Sequence, residues 1–421
     1  MSVPQLRFKD DKGQDFPAWG AVQFSKFLHP KLRPVPKPSG NYMALGIRSH
    51  FKGTFQKPDS KPEKIDMDVL YQVHPGDLIV NITFAWEGAV AIAKEEDVGG
   101  LVSHRFPTYI FDEQIAIGEF FQYVYPTRHF KYQLELNSPG GAGRNRVLNK
   151  KGFLKIECQL PSVEEQTKIA NFLTAVDGKI SQLTQKCELL KQYKKGVMQQ
   201  IFSQELRFKD EKGQDFSAWG EKTIGDIFTF AQTNSFSREL LNYEAGAVKN
   251  IHYGDIHTKF KSNFKIENEV VPFINPTVDI SRIPEECYCK VGDLVIADAS
   301  EDYADVGKAI EIISTGNQKL LSGLHTYIAR DFSNQMALGF RGYLMQSEAV
   351  RLQIKTLATG VSVLSISKGN LAKVKVHLPS KEEQTKIANF LTAIDDKIAS
   401  TQAQLASAKQ YKQGLLQQMF V

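Results

Sequence analysis

LPSVEEQTKIANFLTAVDGKI at residues 160–180 returns as LPSKEEQTKIANFLTAIDDKI at 378–398. In each copy a Ser is followed three residues on by a Glu (Ser162 and Glu165, Ser380 and Glu383). This is the mark of a capping box, in which hydroxyl and carboxylate each satisfy an N–H left free at a helix start. Behind the first cap, apolar positions run Ile169, Leu173, Val176, Ile180, Leu183, Cys187 and Leu190 in steps alternating four and three, then Val197 and Ile201. That is the a/d stripe of a coiled coil. The second copy keeps the phase with Ile387, Leu391, Ile394, Ile398, Thr401, Leu405, Ala408, Leu415 and Met419. Neither stretch contains Pro, so two helices of about 55–60 Å are predicted. A stripe this narrow has to be covered. Each helix docking on its own domain is one solution. Matched phase and length favour the other, in which the two pair antiparallel about a pseudo-twofold axis, with the small residues Ala403, Ala406 and Ala408 allowing close approach.

A second repeat lies upstream: LRFKDDKGQDFPAWG at 6–20 recurs as LRFKDEKGQDFSAWG at 206–220. Each half therefore reads as a leader, a long variable block and a near-constant tail. The variable blocks, 21–159 and 221–377, share sparse anchors: GDLIV at 76–80 answers GDLVI at 292–296, and Thr108-Tyr109-Ile110 answers Thr326-Tyr327-Ile328. Short apolar runs such as 77–82, 89–93, 292–297, 309–313 and 372–378 predict strands, and amphipathic stretches near 115–125 and 336–355 predict short helices. The expected fold is mixed α+β: two duplicated domains of one frame with diverged tips, separated by the two long helices. Varied tips on a constant frame are where binding specificity resides.

The chemistry of catalysis is missing from this pattern. There is no P-loop, and Gly140-Gly141-Ala142-Gly143 lacks the strand-to-helix setting of a dinucleotide fingerprint. No Pro-Pro occurs, so the acidic-or-Asn-Pro-Pro-aromatic loop of a base methyltransferase is absent. Nor is there an H-E-x-x-H or G-x-S-x-G motif. Pro58-Asp59 before Glu63-Lys64 is too compressed for a metal-dependent nuclease and reads as a solvated loop. Cys287 and Cys289 stand two apart with no partners to complete a zinc site, so no metal is expected. No apolar run approaches a membrane span, and the charged start MSVPQLRFKDDKGQDF makes the cytoplasm the expected compartment. Net charge is +5. Residues 21–159 carry 18 Lys and Arg against 14 Asp and Glu, whereas 221–377 carry 17 against 18, so nucleic-acid binding has to come from local patches.

Two related domains held apart by a stiff spacer suit a ligand that repeats at fixed distance, and duplex DNA is such a ligand. Base readers belong on loops between strands, with Arg for guanine, Asn for adenine and carboxylates for cytosine. In the first domain the basic loop GGAGRNRVLNKK (140–151) offers Arg144, Asn145 and Arg146. Asn81 and Thr83 follow GDLIV with Trp86, which could equally be core, and His104-Arg105 precedes the Thr-Tyr-Ile triplet. In the second domain the loop after GDLVI offers Asp298, Ser300, Asp302 and Tyr303, for which a plain turn is an equal reading. Lys249 and Asn250, with His252 and His257, make another polar cluster. TGVSVLSIS (359–367), with Ser362, stands in the place of the Arg-rich loop and has lost its charge, which predicts that the two domains read different bases.

The two tails, the GDLIV and GDLVI anchors and the two-block layout resemble the specificity subunit of Type I restriction–modification systems, over essentially the whole chain. The resemblance implies target recognition domains at 1–159 and 206–377, with conserved coiled-coil helices at 160–205 and 378–421. It implies that each domain reads one half of an interrupted double-stranded DNA site and that the chain is non-catalytic. Two methyltransferase (modification) subunits, and restriction (translocase–nuclease) subunits, would be brought to the site. S-adenosylmethionine, and ATP with Mg, would belong to those partners, with no cofactor on this chain. Exposed helix positions Gln166, Lys168, Tyr193, Gln384, Lys386 and Tyr411 are then candidates for partner contact, and solvated positions on the alternative. A protein-interaction scaffold built on a coiled coil is the competing reading.

Overall fold

The computed structural model describes residues 4–140 and 146–420. It is mixed α+β and divides into two compact units. One comprises the residues up to Thr184 with those from Ala403 on; the other is Gln185–Gln402. These units cut across the sequence-based division at 159, 205 and 377, since each takes in part of both long helices, Val163–Phe202 and Lys381–Met419.

In the first unit a four-stranded sheet runs in the order Leu28–Pro30, Thr108–Phe111, Leu78–Val80, Val90–Ile92. The GDLIV strand is buried on both faces, which is why it reads as an uninterrupted apolar run. Leu78 and Val80 join an aromatic-rich core under the helices Gly118–Val124 and Arg128–Leu136. Ile79 points the other way, into a smaller core with Leu45, Ile47 and Val102 of a second, five-stranded sheet.

The second unit repeats the four-strand order with Phe228–Ala231, Thr326–Asp331, Leu294–Ala297 and Ala309–Ser314, and adds Asn263–Lys265 in parallel at the edge. Leu294 and Ile296 again face the helices while Val295 and Ala297 face away. In each GDL turn the Gly has positive φ (Gly76 +84°, Gly292 +89°), a conformation that favours glycine. The buried Asp then accepts from the N–H three residues back and from an Arg fork: Asp77 from Arg33, Asp293 from Arg330.

One expected correspondence is corrected by strand register. Tyr109 lies opposite Leu78, whereas Ala329 lies opposite Leu294. Phe111 lies opposite Leu28, and Asp331 opposite Phe228. The structural partner of Tyr109 is therefore Ala329, two residues beyond Tyr327. The Thr-Tyr-Ile triplets share a strand but not a register, because the intervening loops differ in length.

The apolar stripe of each long helix is buried or half-buried along its length, as expected. In the first unit Ile169, Leu173 and Val176 share a core with Leu415, Leu416 and Met419. Asp177 accepts from Lys412 at 2.5 Å and from Tyr123 at 3.0 Å. In the second unit Val197 and Ile201 share a core with Ile387, Leu391 and Ile394, and Asp395 accepts from Lys194 at 2.6 Å and Tyr343 at 2.7 Å. Burial, reinforced by the neighbouring carboxylate, pushes Tyr123 up to about 12. Ala403 and Ala406, expected in the seam, are exposed; of the three alanines only Ala408 is partly covered.

The leader repeats fold onto the helix starts. Arg7 forks onto Glu165 (2.6 and 3.1 Å) and Arg207 onto Glu383 (2.7 and 3.2 Å). The capping box is therefore half formed. Ser162 and Ser380 accept from the Glu N–H groups, but each Glu carboxylate is engaged by a guanidinium, a charge-assisted pair stronger than a bond to a neutral backbone N–H. Phe8 on Phe172 and Phe208 on Phe390, both with ring centroids 5.5 Å apart, complete the docking.

Candidate nucleic-acid interface

At one end of the shared four-strand frame in each unit, three loops far apart in sequence are stitched together by the same two backbone bonds. In the first unit Ile82 donates to Arg105 O (3.0 Å) and Leu148 donates to Ile82 O (2.9 Å). In the second, Asp298 donates to His325 O (3.1 Å) and Ile366 donates to Asp298 O (2.9 Å). The loop after the GDL strand, the loop before the central strand and the loop before a short capped helix therefore meet at one rim in both units. Asn149 and Ser367 cap those helices by accepting from the N–H groups of Lys151 and Gly152, and of Asn370. The equivalence of 359–367 with the Arg-rich loop follows from the same bonds. The identity of the side chains on the rim does not repeat.

The first rim gathers Asn81, Thr83, Arg105 and Arg146. Arg105 is exposed and Asn81 and Thr83 are half-buried. Asn81 Oδ1 accepts from the Thr83 N–H, so its amide NH2 is not used in that turn. Arg146 is already engaged: its guanidinium donates to Glu135 O and Ser138 O at the end of helix Arg128–Leu136 and lies 5.1 Å from the Trp86 ring. It anchors the loop, and its charge at that surface compensates a helix C-terminus. Arg144 and Asn145 lie outside the described residues.

The second rim gathers Asp298, His325 and the exposed Ser362, with Tyr253, His252 and His257 beside them. Asp298 Oδ1 is 3.3 Å from His325 Nδ1, and His257 Nε2 is 3.1 Å from Ala299 O. Burial and the Arg238 guanidinium lower His252. Tyr253 at the centre of this group and His325 on the rim were missed by sequence reasoning, since only the folded loops bring them to the positions proposed. Asp302 and Tyr303 are exposed, Asp302 closing a turn onto the Ala304 N–H and Tyr303 lying under Lys355. Two expected readers are corrected. Ser300 is buried and accepts from the Asp302 N–H. Asn250 is fully buried and bonds Asn234, so it holds the sheet interior. Lys249 is half-buried over the Phe273 ring.

The helix residues expected to be exposed divide in the same way. Gln166 is fully buried, accepting from Ile117 N and donating to Ile115 O and Pro161 O. Gln384 repeats this with Ala337 N, Gln335 O and Pro379 O. Both serve as internal pegs between helix and domain because the preceding loop wraps over them. Lys168 and Lys386 reach the leader, donating to Lys9 O and Asp11, and to Lys209 O. Tyr193 and Tyr411 remain exposed on the helices. Among the described residues no group of three His, Cys, Asp or Glu is placed to hold a metal ion, and no helix is long and apolar enough to cross a membrane.

The frame is duplicated and its rims vary, and comparison with known proteins gives its class. The family model described as the Type I restriction modification DNA specificity domain matches residues 60–192 and 217–410, and the chain belongs to that family. It is 24% identical over 280 residues to the putative type I restriction enzyme MjaX specificity subunit of Methanocaldococcus jannaschii, covering 65% of this chain and 61% of that protein. The MjaVIII specificity subunit of the same organism is 25% identical over 286 residues, covering 66% and 64%. The matches thus span a little under two thirds of the length of these relatives. The fold is similar to that of a Type-I restriction-modification S subunit from M. genitalium, with TM-score 0.57, 15% identity, and coverage of 100% of this chain and 99% of that one.

Proposed function

We propose that this chain is a sequence-specific DNA-binding subunit without catalysis of its own. Each rim reads one half of an interrupted duplex site, and the long helices present modification subunits, and restriction subunits where they exist, to the DNA. The observation that carries this reading is the identical backbone stitching of the two rims beneath unrelated side chains: one frame, two specificities. S-adenosylmethionine, and ATP with Mg, then belong to the partners, and Tyr193 and Tyr411 are the helix positions left for contact with them. Arg105, Asn81, Thr83, Asp298, Asp302, Tyr303 and Ser362 are the rim or loop residues that remain available to DNA, and Lys249 has a weaker claim.

Enrichment of the purified chain on random duplex pools tests this. Two short sequences separated by an unspecified gap are expected, and a scaffold that binds only proteins would enrich nothing. Exchange of 221–377 for a homologous block should change one half-site only. Insertion of four residues near Gln185 should alter the gap and leave both half-sites intact; altered half-sites would overturn the role of the helices as a spacer.

A further inference from the structure

The first unit carries a cleft of about 460 Å³ beside its rim. Phe84, Phe55, Phe106 and Tyr42 form its walls, and Asn81 and Ser103 bring polar groups from two of the three rim loops. Phe84 is 42% exposed, a large ring presented to solvent in the loop that follows GDLIV. The Phe55 ring packs on the Gly46 backbone, where a Cβ would meet it. Arg48 and Lys57 lie over the same ring at 5.2 and 5.3 Å. Glu87 also lines the cleft, its carboxylate held by Ser49 at 2.8 Å, and offers an acceptor for an amino group.

Aromatic walls, a donor and an acceptor in the lining and a basic flank suit a flat, hydrogen-bonding ring attached to an anionic backbone. Continuity with the rim says where such a ring comes from. We propose that this cleft receives a single nucleobase extruded from the bound duplex, stacked against Phe84 and met on its edge by Asn81 and Glu87. The inference rests on the reading of the chain as a DNA binder. Stacking of a base on an aromatic side chain is worth roughly 5–150-fold in affinity, enough to offset part of the cost of unpairing, which is smallest at a mismatch.

The test uses the full chain and the duplex selected from random pools, with each position in turn made abasic or mismatched. One position in the half read by this unit is expected to respond with opposite signs. A mismatch there tightens binding, because the base is already unpaired, and an abasic site weakens it roughly tenfold because nothing fills the cleft. Phe84→Ala and Asn81→Ala should each reduce both responses, with thermal unfolding confirming that the variants fold. A scan with no such position, or one whose responses survive in both variants, overturns the assignment. So does saturable binding of dAMP or dCMP that Phe84→Ala abolishes while the duplex scan stays flat, since the occupant would then be a free nucleotide. A pool that yields no motif at all defeats the DNA reading itself, whereas a motif with a flat scan defeats only the cleft.

Discussion

Where the first unit packs Ile92, Phe111 and Phe121 into one apolar cluster, Phe121 buried and the other two partly so, the second places Glu311, Asp331 and Arg341. Strand register matches two of the positions: Ile92 lies opposite Leu78 and Glu311 opposite Leu294, while Phe111 lies opposite Leu28 and Asp331 opposite Phe228. The third match comes from the helices, where Phe121 and Arg341 each stand two residues before the Tyr that donates to a long-helix Asp. Phe111 and Phe121 meet edge to face at 5.5 Å within a cluster of phenylalanines. Arg341, one-tenth exposed, instead lies 3.7 Å from Glu311 and 3.2 Å from Asp331, and donates to Gly292 O and Met336 O. Glu311 accepts from Gly339 N and Gly342 N. One backbone frame thus accommodates either an oily or an ionic filling at the same three positions. What both units keep is the docking of leader, helix start and Gln peg, so the frame depends on that junction and the filling is free to drift.

The comparison breaks most readily at Arg341. Arg341→Ala leaves Glu311 and Asp331 buried without their cation and should destabilise the second unit by about 3–5 kcal/mol in denaturant unfolding. The triple exchange Glu311→Ile, Asp331→Phe, Arg341→Phe, which copies the first unit, should be near neutral or stabilising. A triple variant as unstable as the single one would mean that the two fillings are not interchangeable.

The junctions sharpen the contrast next. Arg7→Ala strands the fully buried Glu165 and should destabilise by roughly 3 kcal/mol. Arg207→Ala should be milder, because the Trp219 indole N–H also donates to Glu383 at 3.1 Å, whereas Trp19 Nε1 is buried without a partner. Equal losses in the two unfolding curves would refute this.

Between pH 4.5 and 7 the second unit should lose stability through Glu311, a position that holds Ile92 in the first. Burial lifts Glu311 to about 7, against the opposing pull of Gly342 N, Gly339 N and Arg341. A carboxyl raised in the folded state above its unfolded value of 4.5 stabilises fully below that value and loses its contribution as pH climbs toward 7. The loss over that window is roughly 3 kcal/mol, read as a falling unfolding midpoint that the triple exchange flattens.

The smallest effect concerns the rims. Arg105→Ala should weaken duplex binding modestly and reduce the slope of log affinity against log salt by about one. Ser362→Ala, at an uncharged position of the other rim, should leave the slope unchanged.

The long helices and their buried stripe were legible because heptad spacing survives any context, and the near-identical repeats made the duplicated α+β frame plain. The loops carrying Asn81, Arg105 and Arg146 were legible as polar segments between strands. Their convergence was not, because it is made by backbone bonds from Ile82 and Leu148. Gln166 and Gln384 were misread because a Gln on a helix with a charged neighbour looks solvated until a preceding loop covers it. Arg146 was read as free because nothing in GGAGRNRV announces that the end of helix Arg128–Leu136 needs a cap.

The first unit also borrows part of its interior from distant chain. Phe420 packs on Trp19 and Phe120, and Gln418 O accepts from Gln5 and Leu6. On the ribosome, then, this half waits open while the whole of the other is made. Its greasy wall around Trp19 and Phe120 stays bare until Phe420 emerges, an interval in which a chaperone has something to hold and a stop before that residue leaves a sticky remnant.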